Sequence, residues 1–197
     1  YLNYSNQILS MKIILASKSA SRRKVMDSLG IEYEVISSNF DEKSIRDKDP
    51  CSLARKLSIA KAKEVGTKEK DAIIISGDTF AVFKGTIYEK PKTEDEAKKM
   101  IKSYENEELI IVAGMAIYNS KTKKMKSYVK EFVAKFGRIT DSDIKEYMNK
   151  YPVTNYAAAL DDRGLKKFTI NYDEIMSKPI CLFVDELKKI LKKNLMH

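Results

Sequence analysis

The segment Ser17-Lys18-Ser19-Ala20-Ser21-Arg22-Arg23 packs three hydroxyls and two guanidinium groups into seven residues. Between a strand and a helix, such a segment offers phosphate the helix N-terminal N–H groups, hydroxyls and cations together. An ordinary serine cap with solvated arginines would contain the same residues. Ser76-Gly77-Asp78-Thr79 places a carboxylate where a buried strand is expected to end, the edge at which α/β proteins bind ligands. Asp78 could ligate a metal, orient an attacking water, or simply bond its own backbone in a turn. Asn39-Phe40-Asp41-Glu42-Lys43 contributes adjacent carboxylates, which repel unless a cation or solvent separates them. Lys61, within Ala60-Lys61-Ala62-Lys63, falls on a helix flank, and Lys90, within Tyr88-Glu89-Lys90-Pro91, follows a hairpin. Alone, each reads as a surface lysine.

Composition narrows the chemistry. The one histidine is His197, which nearly excludes imidazole catalysis and imidazole metal sites. Cys51 and Cys181 stand far apart without metal-like spacing, so neither a disulfide framework nor a zinc site is expected. Carboxylates, hydroxyls, lysines and arginines remain, a set that suits hard cations such as Mg²⁺ or Mn²⁺. The net charge of +9 is carried mostly by lysine, with arginine only at Arg22, Arg23, Arg46, Arg55, Arg138 and Arg163. That balance suits solvated helix faces and a positive cleft for a polyanionic small molecule. Without a recognition motif, no stable nucleic-acid partner is expected. The longest apolar run, Leu109 to Tyr118, has the length of a buried strand and is too short for a membrane helix, so no membrane partner is expected. The first ten residues lack the features of a signal peptide and read as an extension before Met11, with a soluble, cytoplasmic protein expected.

The elements that must position these groups follow from patterning. Lys12 to Ala16 and Ala72 to Ser76 read as buried strands, and Glu32 to Ser37 as an alternating one. Arg22 to Leu29 reads as a helix stopped by Gly30, and Pro50 to Val65 as a helix with Gly66 behind it. Phe80 to Phe83 and Thr86 to Tyr88 form a hairpin across Lys84-Gly85. Thr93-Glu94-Asp95-Glu96 opens a helix to about Ser103, and Thr140 caps another to Lys150. Long strands are expected near 108–118 and 126–136, a shorter one at Phe168 to Tyr172, and a basic amphipathic helix at Leu182 to Leu195. The class is α/β with a mixed twisted sheet and flanking helices.

In this order and spacing the segments resemble the Maf family of nucleotide pyrophosphatases. Leu15-Ala16-Ser17-Lys18-Ser19-Ala20-Ser21-Arg22 is similar to its L-A-S-x-S-P-R-R opening, and Phe40-Asp41-Glu42-Lys43 to its acidic segment. Leu57 to Lys63 resembles L-A-x-x-K-A, Gly77-Asp78-Thr79 resembles A-D-T, and Glu89-Lys90-Pro91 resembles G-K-P. Residues 38–46 look most like eukaryotic members. The departures lie at the base end. Ala20 and Ser21 replace proline and arginine, and Tyr156-Ala157-Ala158-Ala159-Leu160 stands for K-A-G-A-Y. Asp162-Arg163-Gly164 replaces I-Q-G, and Met176-Ser177-Lys178-Pro179 replaces the V-G-L-P-like ending.

The resemblance implies one Maf-like domain over residues 11–197, with two lobes around a nucleotide-binding cleft as in inosine triphosphatases, and a homodimer. It implies hydrolysis of a nucleoside triphosphate to monophosphate and pyrophosphate. Asp78 would be general base or metal ligand, and Glu42 a second carboxylate for Mg²⁺ or Mn²⁺. Arg22, Lys61 and Lys90 would hold the phosphates with Ser17 and Ser19, while Thr79, Ser21, Asp162 and Arg163 would lie toward the base. Thr79 favours dTTP, UTP or a modified pyrimidine nucleotide. The alternatives are 7-methyl-GTP or another modified nucleotide and, farther off, a non-catalytic nucleotide or nucleic-acid binding protein.

Overall fold

The computed structural model describes residues 11–175 and 188–189. The expected C-terminal helix, the 176–179 segment, Cys181 and the first ten residues lie outside this range, apart from two helical residues at 188–189. The sheet has six strands: β1 (Lys12–Leu15), β2 (Glu34–Val35), β3 (Ala72–Phe83), β4 (Thr86–Tyr88), β5 (Glu108–Asn119) and β6 (Met125–Lys135). Their order is β2-β1-β3-β5-β6, with β4 paired to β3. β1 runs parallel to β2 and β3, whereas β3 and β4 are antiparallel, so the sheet is mixed. Five α-helices lie wholly within the described residues: α1 (Ala20–Ser28), α2 (Pro50–Lys68), α3 (Glu94–Ser103), α4 (Asp141–Lys150) and α5 (Asp162–Phe168). No helix of the described residues is long and apolar enough to cross a membrane.

The described chain divides into two compact units, one of residues 11–78, 113–130 and 188–189, the other of 79–112 and 131–175. In the first, β1 runs from Lys12 into two isoleucines and a leucine, and Ile14 and Leu15 are fully buried. Met26 of α1 packs on one side of this sheet with Ile73, Ile75, Met115 and Ile117, and Ala62 and Val65 of α2 pack on Ile14 and Ile74. Asp49 caps α2 by accepting from the Cys51 and Ser52 backbone N–H groups, and Pro50 takes the first helical position, where a missing N–H costs nothing. Gly30 closes α1 with a φ of +64°.

In the second unit Tyr104 and Tyr147 are buried among Phe83, Leu109, Phe136, Ile144 and Phe168. Lys84 (φ 48°) and Gly85 (φ 79°) form the left-handed two-residue turn expected of the β3–β4 hairpin. Thr93 caps α3, although Glu96 bonds the Lys92 N–H rather than that of the cap residue. Thr140 and Asp143 form a full capping box on α4. Beside it, Glu146 accepts from Lys150 at 2.7 Å and Lys167 at 2.8 Å, which pulls its carboxyl from 4.5 down to about 2. A depressed folded-state value makes this contribution present above the ordinary carboxylate range and lost as pH falls toward 2. Glu146→Gln is expected to lower Tm slightly at pH 7, by about 2 °C for a pair this exposed. The gap should close by pH 2 in scanning calorimetry. A gap that persists there would place the effect elsewhere.

Five expectations are corrected. The second strand shrinks from Glu32–Ser37 to Glu34–Val35, because it is an edge strand that finds only Ile14 and Leu15 to pair with. The first helix begins two residues earlier, at Ala20. Gly66 lies inside α2 and does not end it: a Cβ there would stand 2.5 Å from the Tyr118 ring, so the glycine serves packing. Gly77-Asp78-Thr79 is no strand end, since β3 continues through it to Phe83. Phe168 to Tyr172 is not a strand. α5 extends to Phe168, only a single bridge joins Thr169 to Phe136, and 172–175 is again helical.

Candidate functional site

The parallel pairing of β1 with β3 ends at Leu15 opposite Ile75. Ser17 and Asp78 therefore lie just past the C-terminal end of this strand pair, which is the edge the sequence suggested although the strand containing Asp78 runs on. Ser17 is buried, accepts from the Ser19 N–H at 3.2 Å, and accepts from Arg22 Nη1 at 3.0 Å. Ser19 occupies the N-cap of α1 without making a side-chain cap bond, so Ser17 stabilises the turn. Ser21 lies in the first turn of α1.

Gly77 explains how the arginine reaches its place. A Cβ on Gly77 would stand 3.0 Å from Arg22 Nε and 3.0 Å from the Gly114 carbonyl, so only a bare backbone lets the guanidinium lie this close. Burial lowers the Arg22 pKa, and the charges of Asp78 and Glu42 work against that shift. Nothing local distinguishes Gly77 in the sequence from a turn glycine; its role depends on a contact with residue 22.

Lys61, expected on a surface flank, is mostly buried, with its side chain 13% exposed. Its Nζ bonds Asp78 Oδ2 at 2.9 Å and Glu42 Oε1 at 2.8 Å. The Asp78 side chain is 11% exposed and that of Glu42 57%. Asp41 accepts from the Lys43 N–H and caps the short 3-10 turn Glu42–Ser44, which leaves Glu42 to meet the lysine. Neighbouring carboxylates thus divide into a backbone cap and a charge partner. The structure brings together Ser17, Arg22, Glu42, Lys61 and Asp78, from four separate stretches of sequence.

The remaining candidates lie in the second unit. Thr79 and Lys90 are exposed. The carbonyl of Glu89 accepts from the Ala158 N–H at 3.0 Å, and the Ala158 carbonyl accepts from the buried Tyr104 hydroxyl, so the backbone next to Lys90 is tied to the 157–159 turn. Ala158 holds φ +55° there, a left-handed conformation that suits the glycine of the family pattern better than alanine. Asp162 and Arg163 form the first turn of α5. Asp162 accepts from the Tyr172 hydroxyl at 2.9 Å. Arg163 donates to Asp161 through Nε at 2.7 Å and to the Tyr156 hydroxyl at 3.0 Å, with its guanidinium 3.9 Å from the Tyr151 ring centre.

Sequence reasoning missed Asp161. It caps α5 through the Arg163 and Gly164 N–H groups and also accepts from the Tyr147 hydroxyl. Burial alone would raise its pKa, but bonds from Arg163, Tyr147 and Gly164 outweigh that and hold the carboxyl below its usual range. An aspartate followed two and three residues on by Arg163 and Gly164 at a helix start is the signal that could have found it.

Among the described residues no cluster of three or more histidine, cysteine or acidic side chains is placed to hold a metal ion. Asp78 and Glu42 offer two carboxylates to one cation, a donor set that fits a hard ion taking its other ligands from phosphate oxygens and water.

A mixed α/β sheet with charged side chains gathered past the ends of its parallel strands defines an α/β protein of the kind that binds ligands at that edge. Comparison with known proteins makes the assignment specific. A family profile described as "Maf-like protein" matches residues 12–191. A protein named dTTP/UTP pyrophosphatase from Thermoanaerobacter sp. (strain X514) is 33% identical over 185 residues, 91% of this chain and 96% of its own. One of the same name from Thermotoga petrophila is 36% identical over 166 residues, 83% of this chain and 78% of its own. The solved structure of the Staphylococcus aureus Ham1 protein shares the fold, with a TM-score of 0.52 at 13% identity over 90% of this chain and 98% of that one. The chain belongs to the Maf-like protein family.

Proposed function

We propose that the chain is a nucleoside triphosphate pyrophosphatase, with dTTP and UTP its preferred substrates. The observation that carries this reading is the mostly buried Lys61–Asp78 pair set beside Arg22. The names of the relatives support the pyrimidine preference, as does Thr79.

In the reaction, water attacks the α-phosphorus, a P–O bond forms, and the bond from that phosphorus to the α,β-bridging oxygen breaks to release pyrophosphate. Asp78 accepts the water's proton. Arg22 and Lys61 meet the charge of the phosphates, the main work in such transfers, and Ser17 and Ser19 add hydroxyl or backbone contacts. Lys90 is assigned to the triphosphate on the resemblance of Glu89-Lys90-Pro91. Ser21, Thr79, Asp162 and Arg163 are assigned toward the base on the same footing. Asp78 and Glu42 would hold Mg²⁺ or Mn²⁺, which when bound supplies further neutralisation of phosphate charge. A homodimer in the cytoplasm completes the reading.

Pyrophosphate release from a panel of ordinary and modified triphosphates, with Mg²⁺, with Mn²⁺ and with chelator, tests this. Metal-dependent release, fastest with dTTP and UTP, is expected. Release confined to 7-methyl-GTP would move the base assignment. Silence across the panel from folded protein would overturn the enzyme in favour of a nucleotide-binding protein.

A further inference from the structure

Lys61 joins two carboxylates that come from separate segments, one mostly buried and the other more than half exposed. Its Nζ is 2.8 Å from Glu42 and 2.9 Å from Asp78, which commits two of its three N–H donors to these oxygens. An ammonium is a compact point charge on a flexible four-carbon stem, with little directional demand. A divalent cation asks for the same oxygens at a similar place, and two cations cannot share it without strong repulsion.

We propose that Lys61 is a placeholder cation: it neutralises Asp78 and Glu42 in the free protein, and gives up these carboxylates when a divalent cation arrives with the nucleotide. This rests on the proposed function for the arrival of nucleotide, but not for the competition itself. The released ammonium then turns to the phosphates, so one lysine serves the resting site and the loaded one in turn. The exposure of Glu42 gives the exchange a route, because this carboxylate can move while Asp78 stays fixed in β3. Arg22 also acts on Asp78, but its charge is unchanged by substitution at position 61. The consequence is that the free protein holds metal weakly by design and is not loaded without substrate.

The test is Mn²⁺ binding to the full chain without nucleotide, read from the electron paramagnetic resonance signal of free Mn²⁺. Lys61→Met removes the competing charge and is expected to tighten Mn²⁺ binding by at least ~10-fold, a low estimate for relief of charge competition at a partly exposed site. Adding Asp78→Asn to that variant should abolish the gain. Lys61→Gln, which can still donate to the carboxylates, should fall between wild type and Lys61→Met, and carries the test if the methionine variant does not fold. Mn²⁺ should also raise the Tm of Lys61→Met more than that of wild type. Binding unchanged or weaker in both variants would overturn the placeholder role. Tighter binding with a silent nucleotide panel would keep it and overturn the proposed function; an active panel with unchanged binding would do the reverse.

Discussion

Asp78→Asn is expected to leave a folded protein whose pyrophosphate release is slower by at least ~10²-fold, the lower range for loss of a general base. Asparagine keeps the size and one acceptor oxygen, so Lys61 retains a hydrogen-bond partner as well as Glu42. What disappears is the negative charge that can take a proton from water or hold a cation. The stability cost should be about 1.5–3 kcal/mol, the range for a hydrogen bond to a charged group. A circular-dichroism melt beside a turnover assay separates the two effects. Full activity in a folded variant would remove Asp78 from the chemistry, whereas a variant that fails to fold would make the residue chiefly structural.

The second large effect is mechanical. Gly114→Ala is expected to cost about 3 kcal/mol, the upper part of the usual range for overpacking, which for a chain of this size means a drop in Tm of about 6–12 °C. The new Cβ would stand 2.6 Å from the Ala54 carbonyl oxygen and 2.7 Å from its carbonyl carbon. These are backbone atoms of α2, so no side chain can swing aside. The helix would have to retreat as a body from β5, disturbing Leu53, Leu57 and the position of Lys61. Gly85→Ala is a useful contrast, since open space surrounds it and only its φ of +79° resists a side chain. A Gly114→Ala protein as stable as wild type would show that α2 can slide without loss.

The strand–turn–helix at residues 12–28, the capped helices α3 and α4, and the β3–β4 hairpin were legible because their signals are local: side-chain period, a capping residue, a left-handed turn. The site was legible as types of residue, and only partly as places. Lys61 looks like any lysine on a helix flank, because its burial is made by Asp78 and Glu42 arriving from elsewhere. Gly66 and Gly77 look like stops, yet each is glycine because of what a distant residue, Tyr118 or Arg22, presses against it. Phe168 to Tyr172 alternates like a strand, but the Asp161 cap starts a helix that runs into it. In these cases a tertiary contact overrode the local pattern.

The pairing of β1 with β3 has a consequence for synthesis. Lys12 lies opposite Ala72, and Leu15 opposite Ile75, so sixty residues separate each strand residue from its partner. At about 5–20 residues per second, the apolar stretch Lys12–Leu15 leaves the ribosome roughly 3–12 s before the strand that will cover its other edge. During that interval the Ser17–Arg22 turn has no Gly77 backbone to lie against, and α2 has only part of its final surface. The Arg22 guanidinium and the Asp78 carboxylate therefore meet only when the nascent chain delivers residues 72–78.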